Sequence, residues 1–567
     1  MEINIKKLPA IHEAVMHQNF RDMIDYAANT YKDDDAFILK KKKSDGTDYL
    51  HITYTNFRND VRLLCAGLCA RDFAGKRIAV IGNNSYEWLL AYLSALCSGG
   101  VSVPLDKGLP IDETVSSLRR SKTDVLFFDK GHSDMIKKIA DDCQSGVSSF
   151  ICMEPLEGFD DLRSIMRDGK NEDIDKCWSI PVDGDAMTIL LFTSGTTSTS
   201  KAVMLSQKNV TSNSYGMLLC EDMRRGDVNM AFLPYHHTFG AGQQILMLAV
   251  GGTTVYCDGL KYIQKNLQEY GVTFFVCVPL LIEAIYKKIM TGIKKQGKEK
   301  AFERGKRISA FLLKLHIDMR KKIFKEVLDQ LGGRIRIVIS GASPLDPEVA
   351  SGFHDIGIEV VQGYGMTEAS PVIAAESKDC RRPGSIGFAM PNVDVKLIDI
   401  NDSSVGQLIA KGPNIMLGYY NDDDATADTL HDGWLYTGDL ASVDKDGYIY
   451  LRGRLKNVIV LKNGKNVYPE ELETEIMALP FIKECMVYGR PRHKDGNHKD
   501  LALCANIVYD AEKLKGVADP DNFIRQHIDK INETLPRYKH IMRVNVTDQP
   551  MEKTTTGKIK RYKQNLD

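Results

Sequence analysis

The sequence predicts an α/β protein with a large N-terminal domain and a small α+β C-terminal domain joined by a hinge. The large domain is predicted to contain two helix-flanked, mainly parallel sheets and a small β-barrel-like subdomain. Three observations predict this: short apolar runs alternate with helical stretches, tightly spaced strands begin near residue 390, and a compact α+β pattern follows Arg454. We place the domains at residues 1–453 and 454–567. A chain of 567 residues that is 43% hydrophobic can bury a core of this size.

The first part of the chain alternates strands with helices. Residues 1 to about 75 are predicted to form helices around a short polar hairpin at 43–49. A buried strand at 76–82 then leads to a helix with Trp88 and Tyr92 on one face, which ends at Gly99 and Gly100. Further strands are predicted at 101–105, 123–128, 149–153, 188–192, 228–233, 253–257, 273–278, 336–339 and 358–361. Strand, helix and strand repeated in this way indicate parallel sheets covered by helices.

Residues 280–331 interrupt this alternation with a long, strongly basic helical stretch. Large apolar residues recur every four positions, so one face is predicted to be apolar: Phe311, Leu315, Met319, Ile323 and Val327. We favour an ordinary helix with a solvated charged side. Contact with an anionic membrane surface is the alternative interpretation.

The last third of the chain has a different pattern of predicted secondary structure. Strands with tight turns between them are predicted at 393–400, 407–410 and 448–451, which favours antiparallel pairing. Beyond the predicted boundary, the α+β segment has strands at 484–488 and 501–508 and a helix at 519–535.

The composition of the chain limits which functions and which cellular compartment are expected. The net charge of −1, with both signs scattered throughout, argues against a nucleic-acid-binding protein. The 12 cysteines lie mostly in apolar runs, no C-x-x-C pair occurs, and Cys65 and Cys69 share a helix face, so core packing is favoured over metal binding. No apolar run approaches the ~20 residues of a membrane span, and residues 1–7 lack an apolar core. These features predict a cytoplasmic, reducing location.

The strongest candidate for a functional element is residues 190–201, where an apolar run changes into small hydroxyl residues and ends at a lysine. Small residues expose hydroxyls and backbone N–H groups that can surround an anion, and a lysine adds a point charge. The candidate phosphate-binding residues are Thr193, Ser194, Gly195, Thr196, Thr197 and Lys201. The loop is not G-x-x-x-x-G-K-[ST], and a solvated loop after a buried strand has the same composition.

Five other stretches carry residue types suited to chemistry. Residues 233–240 place His236 and His237 beside a glycine turn, and residues 362–368 combine two glycines with a tyrosine and a glutamate. The others are 432–439, which ends in Asp439, the glycine-bearing loop 462–470, and the basic stretch 550–561. Each alone is also explained by packing, by a turn or by a solvated tail.

Together and in this order, these stretches resemble the adenylate-forming (AMP-binding) superfamily, which includes acyl-CoA synthetases, peptide-synthetase adenylation domains and luciferases. The resemblance covers about residue 20 to 562. Residues 432–439, and the helical insertion before residues 334–345, resemble the long-chain fatty acyl-CoA synthetases in particular.

The resemblance implies roles for the nucleotide-binding residues. The loop with Lys201 would bind the ATP phosphates, Tyr364 would stack on adenine, and Asp439 would accept hydrogen bonds from the ribose hydroxyls with help from Arg454. Backbone around the nucleotide would come from Gly341, Ala342, Gly363, Gly365 and Met366.

The resemblance also implies catalytic roles. Thr367 would contact the α-phosphate, Glu368 would bind Mg²⁺, a hard cation that prefers oxygen ligands, and His237 would lie beside the acyl carboxylate with His236 as its neighbour. Lys558 would bridge the carboxylate and ATP during adenylation. After rotation of the small domain about Lys456, the loop containing Gly464 would enter a thiol tunnel.

The sequence therefore predicts ATP-dependent activation of a medium- to long-chain fatty acid through an acyl adenylate, followed by transfer to coenzyme A. ATP, Mg²⁺ and coenzyme A are the implied cofactors and co-substrates. Two alternatives stay open: transfer to the phosphopantetheine of an acyl carrier protein, and a nonenzymatic acyl- or nucleotide-binding protein. A pure binder would not need Lys558 together with Glu368. A standalone peptide-synthetase adenylation domain is disfavoured by the helical insertion.

Overall fold

A computed structural model describes residues 2–43, 46–142, 144–193, 200–462, 464–492, 500–553 and 559–561. It contains a large N-terminal domain with three sheets and a smaller C-terminal domain, which confirms the predicted fold class. The exact boundary at 453/454 stays a prediction. A short turn, Leu455–Asn457, lies at that point of the chain.

A nine-stranded sheet forms one side of the large domain. Its six central strands are parallel and the remaining strands pair antiparallel, as a mainly parallel sheet requires. In spatial order the strands are Phe388–Ala389, Val372–Ala375, Glu359–Gly365, Ile337–Ser340, Phe274–Cys277, Val228–Ala231, Thr253–Tyr256, Asp35–Lys43 and Gly46–Thr53.

An eight-stranded sheet forms the other side. Six of its strands are parallel, and two antiparallel strands complete one edge. The order is Gly418–Tyr419, Lys201–Ser206, Met187–Thr193, Val101–Leu105, Arg77–Ile81, Val125–Phe128, Ser149–Cys152 and Asp160–Asp161. Ten of the twelve parallel strands lie at the predicted positions to within a few residues, whereas Asp35–Lys43 and Asp160–Asp161 were not predicted.

Helices cover both sheets because the parallel strands are buried on both faces. The helix Tyr86–Cys97 is buried along its whole length, and its first turn is capped by the Ser85 hydroxyl, which accepts the Trp88 N–H. Gly251 ends another helix in the left-handed conformation, at φ +77°. The helices of the large domain outside the basic insertion are Phe20–Tyr31, Tyr54–Ala70, Tyr86–Cys97, Ile111–Ser121, Ser133–Asp142, Leu162–Gly169, Ile174–Trp178, Gln207–Cys220, Thr238–Val250, Ile263–Tyr270, Pro347–Asp355 and Asp423–Thr429.

Two local predictions need correction. The short hairpin expected at 43–49 is longer, because strand Asp35–Lys43 buries Ala36 and Phe37 and pairs with Thr253–Tyr256 as part of the nine-stranded sheet. The basic stretch is not one continuous helical face but four helices: Pro279–Lys295, Glu299–Lys314, Arg320–Ile323 and Lys325–Asp329. Its apolar residues therefore separate, and Val327 packs against the core while Phe311 is 63% exposed.

The third sheet of the large domain is antiparallel, as expected. Five of its described strands lie side by side in the order Ile3–Asn4, Asp394–Ile398, Val405–Lys411, Trp434–Val443 and Leu430–His431. A sixth strand, Ile449–Arg454, also pairs with Trp434–Val443. This sheet carries Asp439 toward the C-terminal domain.

The C-terminal domain has its own apolar core. Its elements are the strands Ile459–Val460, Asn466–Val467, Ile482–Pro491, Leu501–Tyr509 and Ile541–Thr547, and the helices Pro469–Met477 and Pro520–Thr534.

None of the described helices, in either domain, combines the length and apolar character that a membrane crossing requires. The eleven described cysteines are all free, and burial raises the pKa of Cys69 to about 12.

Candidate active site

The candidate site lies where the carboxyl ends of parallel strands from the two large sheets face each other. Strand Val228–Ala231 of one sheet leads to the histidine segment, and strand Arg77–Ile81 of the other leads to Asn84. The Asn84 amide donates to the Leu233 carbonyl at 2.7 Å, and its oxygen accepts the Tyr235 N–H at 3.0 Å. Ligands of open α/β sheets bind beyond such carboxyl ends, so this junction is the expected place for a site.

Tyr364 and Asp439 meet although they come from different sheets. The Tyr364 hydroxyl donates to Asp439 Oδ2 at 2.6 Å, and Arg454 Nε lies 2.8 Å from Asp439 Oδ1. The Thr437 hydroxyl accepts the Asp439 N–H at 3.0 Å. Burial, followed by the charge of Asp439, raises the pKa of Tyr364 well above its ordinary value, so the tyrosine stays neutral and donates its proton.

Glu368 is connected to Lys201 through Tyr419. The Tyr419 hydroxyl donates to Glu368 Oε1 at 2.9 Å, and the Lys201 ammonium lies 4.4 Å from the centre of the Tyr419 ring. Burial and the Glu368 charge raise the pKa of Tyr419. One aromatic side chain therefore positions the predicted metal ligand beside the predicted phosphate-binding lysine.

The glycines of the predicted nucleotide site serve different purposes. A Cβ on Gly365 would lie 1.9 Å from the Pro371 carbonyl oxygen, so only glycine fits there, whereas Gly363 faces open space. Gly341 packs against Phe239, and Ala342 has a φ of +74°, an uncommon conformation for a residue with a side chain. Open backbone beside Gly363 is what the approach of a flat ligand requires.

Positive charge concentrates between the two domains. Burial lowers the pKa of Lys456, and the charges of Arg454, Lys201 and Arg561 lower it further, with Asp439 opposing them. After burial, the contributions of these three cations show that they lie near the same ammonium group. A polyanion placed among them would relieve this repulsion, which is the electrostatic environment expected for nucleotide phosphates.

A small, mostly apolar cavity lies next to the histidine segment. Its lining residues are Tyr92, Pro104, Ile189, Leu191, Leu205, Val210, Tyr235, His237, Thr238, Ala241, Gly242 and Ser370. His237 directly precedes the helix Thr238–Val250, whose N-terminal end therefore faces the cavity and favours a carboxylate there.

The glycines after His237 do not all make room for a ligand. Gly242 and Ala241 line the cavity. A Cβ on Gly240 would instead lie 2.1 Å from the Pro234 carbonyl oxygen, so Gly240 is fixed by backbone packing. Gly242 has only Pro371 Cδ near it, at 3.7 Å.

Only the ends of the predicted phosphate loop fall within the described residues. Thr193 and Lys201 are cross-strand partners, and the Thr193 hydroxyl donates to the Lys201 carbonyl at 3.3 Å. Arg120 donates to the Ser200 carbonyl at 2.8 Å. The predicted loop residues Ser194, Gly195, Thr196 and Thr197 lie outside the described residues.

The predicted elements of the C-terminal domain are only partly described. Gly464, at φ +77°, lies in a tight turn between the strands Ile459–Val460 and Asn466–Val467. Its neighbour Lys465 contacts the Tyr538 ring of the same domain, so the loop is held there as a hairpin turn. Lys558 lies outside the described residues, and the nearby Arg561 is bound to Glu473 Oε2 at 2.6 Å.

Comparison with known proteins shows which family this architecture represents. The family model described as AMP-binding enzyme matches residues 24–420. The chain belongs to the AMP-binding enzyme family. The model of the AMP-binding enzyme C-terminal domain matches residues 456–565. The predicted membership of the adenylate-forming superfamily is therefore confirmed.

Three relatives cover between 79% and 96% of this chain. The chain is 26% identical to a peroxisomal long chain acyl-CoA synthetase 7 of Arabidopsis thaliana, over 96% of this chain and 80% of that protein. A feruloyl-CoA synthase of Amycolatopsis is 29% identical, with 90% and 92% covered. A chloroplastic long-chain-fatty-acid–[acyl-carrier-protein] ligase of Arabidopsis thaliana is 24% identical, with 79% and 72% covered.

Solved structures share the fold. An anthranilate CoA ligase in complex with anthranoyl-AMP superimposes with a TM-score of 0.76 at 19% identity, covering 97% of each chain. An o-succinylbenzoate coenzyme A synthetase of Bacillus subtilis, in complex with ATP and magnesium, has a TM-score of 0.71 at 20% identity, with 95% and 98% covered. The acids named for these relatives are chemically diverse, so family membership leaves the acid open.

The residues present fit the Mg²⁺ ion expected for an AMP-binding enzyme that uses ATP. Glu368 offers a carboxylate that is held in place by the Tyr419 hydroxyl, and Thr367 places a hydroxyl one residue before it. Both residues are half-buried rather than enclosed. Mg²⁺ is commonly held by one or two carboxylates together with substrate phosphates, which suits this arrangement.

Sequence reasoning missed two residues of this site. Tyr419 lies beside Lys201 because strand Gly418–Tyr419 pairs antiparallel with strand Lys201–Ser206. Thr437 lies inside the predicted segment 432–439 but was not singled out; its backbone oxygen accepts from Arg454 at 3.2 Å. A Ser/Thr two residues before a carboxylate is a weak local signal for Thr437, whereas only the strand pairing reveals Tyr419.

Proposed function

We propose that the protein is an acid–thiol ligase that activates a medium- to long-chain fatty acid with ATP and transfers the acyl group to coenzyme A. The observation that carries this proposal is the connection of Glu368 to Lys201 through Tyr419, beside an apolar cavity that begins at His237. An anion-binding region and an apolar cavity beside it are the two parts that such a reaction needs.

In the first half-reaction, the fatty carboxylate attacks the α-phosphate and pyrophosphate leaves. Tyr364 and Asp439 orient the nucleoside, while Lys201, Lys456 and the loop around Thr193 surround the phosphates with positive charge and donors. Glu368 and Thr367 would hold Mg²⁺, which supplies neutralisation of phosphate charge when bound. His237 and the N-terminal end of its helix position the carboxylate. Chemistry of this kind depends mainly on placement and electrostatics.

In the second half-reaction, a thiol attacks the carbonyl of the acyl adenylate and AMP leaves. We propose that the C-terminal domain, from about residue 454, rotates about Lys456 between the two steps. Rotation would replace Lys558 by the turn containing Gly464 beside the reacting carbonyl.

The acyl acceptor and the acid are the open parts of this proposal. Coenzyme A is favoured because most of the named relatives are CoA ligases, and the phosphopantetheine of an acyl carrier protein is the alternative. A thioester assay with free coenzyme A against holo carrier protein separates the two. ATP–pyrophosphate exchange that depends on an added acid separates either enzyme from a nonenzymatic nucleotide binder.

The cavity predicts which acids are used. With a panel of C2 to C18 fatty acids and aromatic acids, exchange should be fastest with medium to long chains, because the cavity lining is mostly apolar. Gly242→Leu places a side chain in the cavity and should move the optimum to shorter acids. Gly292→Leu is the matched control, because that helical glycine faces open space. An optimum at acetate or at an aromatic acid would refute the fatty-acid assignment.

We also propose a cytoplasmic location with peripheral contact at an anionic membrane surface. On and just beyond helix Glu299–Lys314, four large apolar side chains are 46–63% exposed: Ile308, Phe311, Leu315 and Ile317. Exposed basic residues occur in the same part of the chain: Lys300, Arg304, Arg307, Lys314, Lys321 and Lys322. Exposed apolar side chains accompanied by basic ones are complementary to anionic lipid headgroups over an acyl layer.

The membrane contact is testable with vesicles. Phe311→Glu/Leu315→Glu should lower the fraction bound to phosphatidylglycerol-containing vesicles by at least ~10-fold, because two apolar side chains worth ~1.5–3 kcal/mol each no longer enter the interface. Met477→Glu/Met542→Glu makes the same charge change at exposed apolar residues of the other domain and should bind normally. Equal cosedimentation of the two double variants, or no binding by the wild type, would contradict the proposal.

A further inference from the structure

The histidine segment forms a second cluster, of which the proposed reaction uses only His237. Asp106, His236 and His237 each present one ligand atom, and these atoms all lie within 4.8 Å of one another. The two imidazole rings are 4.2 Å apart between centres. Asp106 follows the strand Val101–Leu105 of one large sheet, while the histidines follow a strand of the other, so the cluster spans the junction of the sheets.

The separation of His236 and Asp106 is closer to that of two metal ligands than to that of a hydrogen bond. His236 Nε2 lies 3.5 Å from Asp106 Oδ1, longer than the ~2.7–3.2 Å of a hydrogen bond. Two ligands of a tetrahedral zinc ion, each about 2.1 Å from the metal, lie roughly 3.4 Å apart. His236 Nε2 is buried and has no hydrogen-bond partner among the described residues. A buried ring nitrogen of this kind needs a partner.

The surroundings hold these ligands in place. Asp106 Oδ1 accepts the Gly108 N–H at 2.8 Å, which fixes the carboxylate. Asn84 binds the backbone on both sides of Pro234, at Leu233 and Tyr235, and so fixes the segment that carries the histidines. Bound metals commonly depend on outer contacts of this type.

We propose that Asp106, His236 and His237 bind a divalent transition metal of the zinc class, with a fourth position open. Two imidazoles and one carboxylate suit Zn²⁺, whereas Mg²⁺ prefers oxygen ligands, so this site is distinct from the one at Glu368. Metal bound here occupies the His237 ring nitrogen. Resting on the proposed function, the consequence is reversible inhibition of adenylation, because His237 lines the acyl cavity.

Zinc binding is measured first, on the full-length, chelator-stripped protein, without ATP or acid. In competition with a colorimetric chelator, the wild type should take up one Zn²⁺ per chain. His236→Asn and Asp106→Asn should each weaken affinity by at least ~10-fold, the lower end of the loss seen when even an outer contact is removed. His51→Asn is the matched control, since the His51–Asp35 pair belongs to no three-ligand group among the described residues.

The outcomes separate the two proposals. Asp106→Asn keeps a side-chain oxygen that can accept the Gly108 N–H, so this variant should stay folded. If a thermal melt shows that His236→Asn is unfolded, the zinc affinity of Asp106→Asn tests the site instead. No uptake by the wild type, or unchanged affinity in both variants, overturns the zinc site. In the wild type, acid-dependent pyrophosphate exchange should then fall as zinc occupancy rises and should recover when chelator is added. In Asp106→Asn, the same zinc concentrations should inhibit exchange less. Equal inhibition of the wild type and Asp106→Asn overturns the inhibitory role. Absence of exchange in metal-stripped protein with Mg²⁺ refutes the proposed function instead and leaves the binding result standing.

Discussion

Replacing Lys558 with alanine is expected to slow acyl-adenylate formation by ~10²–10³-fold and to leave thioester formation from pre-made acyl adenylate nearly unchanged. A positive group aimed at the attacked phosphate stabilises charge that shifts only in the first half-reaction. The proposed rotation about Lys456 removes that group before the thiol attacks. Each half-reaction is measured separately, with ATP plus fatty acid and with acyl adenylate plus thiol.

Lys560→Ala is the matched control for this experiment. It removes the same charge from the same terminal segment, where Lys560 pairs with Glu552 at 3.4 Å. That variant should retain both half-reactions. Equal loss of both activities in a folded Lys558→Ala protein would show that Lys558 does not belong to the first half-reaction, and the domain-rotation proposal would fall with it.

Much of the fold is predictable because buried parallel strands have a simple signature. A strand covered on both faces, such as Val125–Phe128, is a short uninterrupted apolar run, and its neighbours repeat that signal at regular intervals. Strands without this signature were missed. Lys201–Ser206 begins inside a hydroxyl-rich loop, and Ile541–Thr547 alternates apolar with polar residues at the edge of a sheet.

The basic insertion shows why periodicity alone is insufficient. The spacing of Phe311, Leu315 and Ile323 fits one helix face, but a helix must also continue through the residues between them. Backbone at His316 adopts a φ of +61°, which breaks the face after Leu315. Exposure of the apolar residues on the first helix then follows from the break.

The candidate site likewise contains some residues that the local sequence reveals and others that it does not. Residues inside contiguous motifs, such as Tyr364, Glu368 and Asp439, were singled out because local sequence carries the pattern, and their roles stay predictions. Tyr419 and Asp106 were not, because their positions depend on which strands pair and on how two sheets face each other. No local pattern records such a juxtaposition, although it determines what Glu368 and His236 contact.

The structure also sharpens the expected effect of changing Glu368 to glutamine. The substitution keeps the size of the side chain and an oxygen that can accept from the Tyr419 hydroxyl, so the local contact survives while the negative charge is lost. A hard divalent cation binds a neutral amide oxygen far more weakly than a carboxylate. Acid-dependent pyrophosphate exchange should fall by at least ~10²-fold, and the Mg²⁺ concentration needed for half-maximal exchange should rise.

Two controls separate loss of the metal from loss of structure. Glu348→Gln removes a carboxylate that is exposed on the helix Pro347–Asp355 and should leave exchange and its Mg²⁺ dependence unchanged. Tyr419→Phe removes only the hydroxyl that orients Glu368 and keeps the ring beneath Lys201, so its loss of exchange should be smaller than that of Glu368→Gln. Thermal unfolding of all three variants should stay close to that of the wild type. A Glu368→Gln protein with wild-type Mg²⁺ dependence would show that the metal ion is held elsewhere.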